Sequence, residues 1–360
     1  MEGLVTASDI TQQPSDAAYG YIPFVVNTTN AQPGNAVIAL KAKKCEIETT
    51  KVYADDDATI EIPSLEKEVS VTATGDWEVL WTWHIWVTDE VYPNSENDQY
   101  YPSYHDGSKI SNGILPVNLG WVPDDDEWNY YAPRQIWVEI EQSGSGNKVH
   151  LQIRQEAVPE LVTGTSTIYQ WGRPTAFPMK AKIDGNARTI YGSTPTSGST
   201  ASTKAAISTP TILSTSWPTG SAAYWSTTKT LYDPCPVGFK LPAGTAFSNF
   251  TLTGSSTVSG SDLNMRADEG AASKGGYFYT VAHASLTDAN RYDPKVYVPA
   301  TGYWTSAYAQ FSGSTTTGYY WTSASGTSWQ VLPVKANNGF MNFSASMGNS
   351  NALPIRPVAE

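Results

Sequence analysis

The run Trp81-Thr82-Trp83-His84-Ile85-Trp86-Val87-Thr88-Asp89 packs three tryptophans into six residues among β-branched neighbours. An extended backbone turns successive side chains to opposite faces, so this run predicts a strand. Trp81, Trp83, Ile85 and Val87 fall on one side, and Thr82, His84, Trp86 and Thr88 on the other. The first side is wholly apolar. Burying one tryptophan removes roughly 150 to 250 Å² from water, about 4 to 6 kcal/mol as an upper bound. The expectation is therefore a core anchor in which Trp81 and Trp83 are buried. The other use for such a row of rings is a platform on which sugars stack.

A chain of 360 residues can bury a large core and can hold one large domain or two or three smaller ones. Charged residues make up only 16% and aromatics 12%, with 28 glycines and 23 prolines, a mixture that reads as β-rich and loop-rich. The balance of 22 basic against 34 acidic residues gives a formal charge of -12, which repels phosphate backbones and anionic lipid. Nucleic-acid partners and direct membrane insertion are not expected. No stretch approaches the roughly 18 apolar residues of a membrane span. Met1-Glu2-Gly3-Leu4-Val5 does not open a signal peptide, so an exported form has its export signal absent from this chain.

The chemistry-bearing residues are sparse. Two cysteines, Cys45 and Cys235, form no framework and no CxxC pair, and the four histidines His84, His105, His150 and His283 fit no metal-ligand spacing. No HExxH, GxSxG, GxGxxG or P-loop occurs. No metal, no cofactor and no catalytic residue is expected, although two carboxylates brought together by folding would leave no trace in spacing. The run Asp124-Asp125-Asp126-Glu127 reads as a solvated acidic loop or a cation site, and it lacks the ligand spacing and turn glycine of an EF-hand.

Residues 20–80 alternate short strand-like runs with turns, an N-terminal all-β region. Ile136 to Gln142 and Lys148 to Gln155 flank the Gly-rich loop Ser143-Gly144-Ser145-Gly146-Asn147 and predict a hairpin. Ile136, Val138 and Ile140 share one of its faces with Val149, Leu151 and Ile153. The other face carries Glu139, Glu141, His150, Gln152 and Arg154, so the ribbon is expected to be half exposed. A short helix is expected from Thr245 through Phe250, with little helix elsewhere. Ligand contact is expected at loops, with Tyr100, Tyr101, Tyr104, Trp128, Tyr130 and Tyr131 as candidates. The same rings could equally pack their loops down.

Several segments carry a resemblance. Asp233-Pro234-Cys235-Pro236-Val237-Gly238-Phe239-Lys240-Leu241-Pro242 resembles the DPCPxG(F/Y/W)xxP signature of a large group of Bacteroidetes surface proteins. Trp81 to Asp89 resembles that group's WSWHIWVTD strand, and Ile168-Tyr169-Gln170-Trp171-Gly172-Arg173 its YYQWGR element. Tyr297 to Tyr303 and Gly318 to Ser323 resemble its FPAxGY and GYYWSS pair. The close, Leu353-Pro354-Ile355-Arg356-Pro357-Val358, is similar to its terminal xxVRCV strand, and Asn118-Leu119-Gly120 to its NLG.

These are motifs of the fimbrillin-like (Mfa/FimB-related) proteins, whose C-terminal module is similar to the Fibrobacter major paralogous domain. The resemblance implies an α+β, strongly β-rich chain. It comprises an N-terminal β region over 1–80 and a C-type-lectin-like module over 81–360, with the hairpin as part of an insertion at about 121–162. It also implies a non-enzymatic adhesin or fimbrial tip or accessory protein, extracellular at the surface or fimbria of a Gram-negative bacterium. Its partners would be pilin subunits or a surface glycan or protein receptor. The alternative is a carbohydrate-binding or glycan-active protein. In similar proteins the DPCP cysteine has a natural partner in the terminal strand's cysteine. Pro357 stands there in this chain, so two free thiols are expected, with Phe239, Ile355 and Val358 packing the terminal strand in place of the cross-link.

Overall fold

The computed structural model describes residues 34–52, 66–88, 113–115, 117–123, 134–155, 164–179, 202–215, 224–251, 295–305, 317–332 and 340–360. It also describes short strand pieces at 5–7, 11–12, 20–21, 24–26, 104–105, 108–109, 196–198, 257–259, 265–267, 275–279 and 310–312. Strands dominate these residues. The single α-helix among them, Thr203–Ser208, is six residues long and is capped by Ser202, whose side chain accepts from the Ala205 N–H. The turn expected from Thr245 is a 3-10 helix, Gly244–Phe250, with Phe247 and Phe250 buried.

The strand Thr167–Gln170 is buried on both faces and divides two apolar clusters. It lies in a five-stranded sheet whose order is Phe177–Pro178, Thr167–Gln170, Ala352–Leu353, Tyr303–Thr305, Gln310–Ser312. Alternation sends Tyr169 and its neighbour Leu353 to the larger cluster, with Trp171, Trp225, Phe239, Leu241, Trp321 and Ile355. Ile168, Ala352 and Trp304 face the smaller one, with Phe177, Met179 and Leu213. A second sheet of four strands includes Gly318–Trp321, Thr327–Leu332 and Phe340–Ser346. Trp321 passes from it into the larger cluster and donates its indole N–H to Tyr169 O at 2.6 Å.

The C-terminal segment threads this core. Phe239–Lys240 pairs antiparallel with Val358–Ala359, and the Leu115 and Leu119 N–H groups donate to Pro357 O and Ile355 O at 3.0 and 2.9 Å. Phe239, Ile355 and Val358 are all buried around a strand that carries Pro357. Cys235 is a free, buried thiol, and Cys45 sits opposite Ala73 in a strand pair.

Two excursions leave this body. Gly34–Val52 and Glu66–Val87 form one long antiparallel ribbon, paired from Gly34↔Val87 to Val52↔Glu66. The second strand runs unbroken through position 80/81, where the sequence reading divides the chain. Register slips at Leu80, since Leu40 opposes Trp81 while Lys41 opposes Val79, an extra residue of the β-bulge kind that re-aims the side chains beyond it. The other excursion is the expected hairpin, Arg134–Glu141 with Lys148–Gln155, in register from Arg134↔Gln155 to Glu141↔Lys148, one residue further from the tip than a loop of 143–147 alone would set it. The chain leaves for it at Val122–Pro123 and returns beside that point at Gly164–Thr165, paired antiparallel.

The tryptophan strand sits the opposite way round from the expected one. Thr82 is 1% exposed while Trp83 is 40% exposed, and Trp81 is half-buried with its ring edge-on to Tyr232 at 5.0 Å. The face turned to the body is the mixed one, Thr82, His84 and Trp86, opposite Ala39, Val37 and Asn35. The physical reason is that each of the three polar groups finds a partner there. Thr82 Oγ1 meets Thr175 Oγ1 at 2.9 Å, His84 bonds at both ring nitrogens, and the Trp86 indole N–H donates to Trp121 O at 2.9 Å. A satisfied polar group loses little on burial, and Val37 and Trp86 still add apolar contact with the core.

The second hairpin is also more open than expected. Both of its faces are exposed, with Ile136, Ile140, Val149, Leu151 and Ile153 on one and Trp137 on the other.

Candidate functional site

Of the residues proposed for ligand contact, Tyr100, Tyr101, Trp128, Tyr130 and Tyr131 lie outside the described residues, as does the acidic run 124–127. Tyr104 is described only by its backbone, in the two-residue strand Tyr104–His105 that pairs with Ser108–Lys109. The motif residues, by contrast, are placed, and they assemble three buried polar clusters.

The first cluster is the seam between ribbon and body. Asn35 Nδ2 donates to Gly120 O at 2.8 Å, which fixes Asn35 Oδ1 as an acceptor. His84 Nε2, 2.8 Å from that oxygen, therefore carries its proton, leaving Nδ1 to accept from Tyr169 Oη at 2.7 Å. Thr167 Oγ1 lies 3.0 Å from the same phenol and 2.9 Å from Leu119 O. The imidazole is held neutral, and burial lowers its pKa from 6.5 to about 3. Gly120 makes the close approach possible. Its φ is +72°, and an added Cβ would stand 2.5 Å from Thr167 Oγ1 and 2.8 Å from Asn35 Oδ1. The seam thus joins WHIW, NLG and the strand of QWGR. Nearly fifty residues separate Gly120 from Thr167 in the chain, and the fold sets them side by side.

The second cluster is centred on Arg173. Its guanidinium is wholly buried over the Phe177 ring and donates to four oxygens: Gln170 Oε1, Ile212 O, Ala206 O and Thr209 O, at 2.5 to 3.1 Å. Ala206 O and Thr209 O lie at the C-terminal end of the short helix, where a cation is favoured, and Thr209 O also accepts from the Ile212 N–H at 3.0 Å. Gln170 completes the cage by donating to Ser214 O and Ser350 O and accepting from the Ser214 N–H.

The third cluster is the DPCP turn. Asp233 accepts from the Cys235 N–H at 2.8 Å and from the Leu241 N–H at 3.1 Å. Lys229 Nζ fills the turn, donating to Cys235 O at 2.6 Å and Phe239 O at 2.7 Å. Burial and the neighbouring Asp233 carboxylate push the Cys235 thiol well above its ordinary pKa. A thiol kept protonated and out of water is a poor nucleophile and a poor metal ligand. Among the described residues no group of three His, Cys, Asp or Glu side chains gathers into a metal site.

Chemically, all three clusters hold backbone in place. They satisfy carbonyls and N–H groups of the segments that they join. Sequence reading missed Arg173 and Gln170 as structural hubs. The available signal was an arginine two residues after a tryptophan in a segment otherwise poor in charge. No family model, no curated protein and no solved structure matches this chain.

Proposed function

We propose that this chain is a non-enzymatic, surface-exposed adhesion or fimbrial accessory module with a C-type-lectin-like C-terminal part. The observation that carries this reading is where the motif residues go. Tyr169, Trp171, Arg173, Asp233, Trp321 and Arg356, drawn from the YYQWGR, DPCP, GYYWSS and terminal segments, are all buried. They are bound to backbone groups or to one another. Residues spent this way define a scaffold that other parts of the chain can vary upon. The shielded Cys235 speaks against thiol chemistry, and the -12 charge against polyanionic partners.

Binding is assigned to the loops that carry Tyr100, Tyr101, Tyr104, Trp128, Tyr130 and Tyr131, toward a surface glycan, a protein receptor or a pilin subunit. A glycan array and a cell-binding assay with the purified chain test the reading. Saturable binding without turnover of the bound glycan is expected, and alanine at Trp128 with Tyr130 should abolish it while leaving the melting temperature within a few degrees. Cleavage of a bound glycan would instead establish the glycan-active alternative. Binding that survives loss of these rings would move the site elsewhere.

A further inference from the structure

The hairpin Arg134–Glu141 with Lys148–Gln155 is a two-stranded sheet of its own. Its cross-strand pairs Ile136↔Ile153, Val138↔Leu151 and Ile140↔Val149 set six aliphatic side chains on one face, and five of them are 47% to 62% exposed. Polar residues close the stripe at both ends. Arg134 pairs with Gln155 at the base, and the Gln142 N–H donates to Asn147 O at 2.8 Å at the tip. On the reverse face Lys148 Nζ reaches Glu139 Oε1 at 2.5 Å. A two-stranded hairpin bare on both faces is marginal in water, and a contiguous aliphatic stripe of this kind marks a contact surface.

We propose that this stripe is a self-association surface, on which two copies of the chain stack hairpin against hairpin about a two-fold axis as a two-layer, four-stranded sandwich. The face is self-complementary. Three aliphatic rungs without a donor, an acceptor or a charge fit a second set of the same rungs, and a two-fold axis brings a patch onto itself. A partner with a polar contact surface would leave its own groups unpaired there.

Size agrees with a weak dimer. Rungs two residues and so about 6.8 Å apart on strands about 4.8 Å apart, with half of each side chain exposed at five positions, leave roughly 450 Å² to cover per copy and about 900 Å² for the pair. That is above most adventitious contacts and short of a permanent complex, so dissociation in the micromolar range follows. Charge agrees as well. The whole chain carries -12, whereas the segment 134–155 sets Arg134, Lys148 and Arg154 against Glu139 and Glu141, one net positive charge. Two acidic copies can approach through it at low electrostatic cost.

Sedimentation velocity of the full chain across the micromolar range tests this. The wild type is expected to show a monomer–dimer equilibrium. Leu151→Glu and Leu151→Lys, each on the central rung, are expected to weaken it about 30-fold or more. An equimolar mixture of the two variants should restore the dimer. Because Leu151 is half exposed, neither change should move the melting temperature by more than about 2 °C. A wild type that stays monomeric at every concentration overturns the proposal, as does a dimer that persists in Leu151→Glu. A monomeric Leu151→Glu that melts several degrees lower, with no rescue on mixing, assigns the cover of this face to the chain's own other segments and overturns it equally.

Discussion

The two hairpins of this chain are built alike and treated differently by the fold. Each is an antiparallel pair with one purely apolar face: Ala36, Ile38 and Leu40 with Trp81, Trp83 and Ile85 in the ribbon, and three aliphatic rungs in the insertion. The ribbon turns its mixed face inward, where hydrogen bonds join Asn35, Thr82, His84 and Trp86 to the body. The insertion makes no comparable seam among the described residues. Its polar face carries Glu139, Glu141 and Lys148, charges whose burial would need matched partners. What decides whether a ribbon docks is therefore the chemistry of its polar face. Thr, His, Asn and Trp can be satisfied by a few carbonyls and hydroxyls, and a charged ladder cannot.

Paired glycine substitutions probe this contrast with the largest expected effect. Gly120 and Gly144 both have positive φ, +72° and +95°, so alanine is strained at either. At Gly120 the new Cβ also runs into Thr167 and Asn35, while at Gly144 nothing lies within 4 Å. Gly120→Ala should destabilise the protein by about 3 to 5 kcal/mol in chemical denaturation, combining strain and overpacking. Gly144→Ala should cost about 1 kcal/mol, confined to the hairpin. Equal effects would mean that the seam does not hold the ribbon.

Acid should open the docked hairpin selectively. His84 is neutral in the folded protein with a pKa lowered to about 3, against 6.5 when unfolded. Between those values the unfolded chain binds a proton that the folded one refuses, so stability rises with pH across this window and is lost as pH falls through it. The seam's contribution is complete above pH 6.5 and falls by about 2 kcal/mol at pH 5, at 1.36 kcal/mol per pH unit. His84→Gln, less stable at neutral pH, should lose that part of the slope. Denaturant titrations at several pH values read it directly, and an unchanged slope in the variant would place the acid sensitivity elsewhere.

The β-rich class and several strands were legible in the sequence, and the inward face of the tryptophan strand was not. Alternation alone predicts the strand over Trp81 to Val87 and the two strands and faces of the second hairpin, because period two is a local property. Which face turns inward is a tertiary matter. Hydrophobicity pointed to Trp81 and Trp83, and the hydrogen-bond partners that reversed it, the acceptor Trp121 O and the donor Tyr169 Oη among them, lie 35 and 85 residues away in the chain. The same holds for Arg173, whose role depends on carbonyls of a six-residue helix that propensity does not announce. Phe239, Ile355 and Val358 are buried, as expected of apolar side chains that hold the terminal strand. Sites on loops leave no period to read, so composition alone brought Tyr100 or Trp128 forward.

The smallest expected effect is also the most direct comparison of the two hairpins. Trp86 and Trp137 are both strand tryptophans on the mixed face of a ribbon, and phenylalanine keeps most of either ring while deleting the indole N–H. At Trp86 the change strands Trp121 O, an acceptor now 2.9 Å from its donor in the part-buried seam, and should cost about 1 to 1.5 kcal/mol. At Trp137, which is exposed, it should stay within about 0.5 kcal/mol. Urea denaturation of both variants at neutral pH makes the measurement. If Trp137→Phe proves the costlier of the two, the insertion is docked through its polar face, and the distinction between a docked and a free-standing hairpin fails.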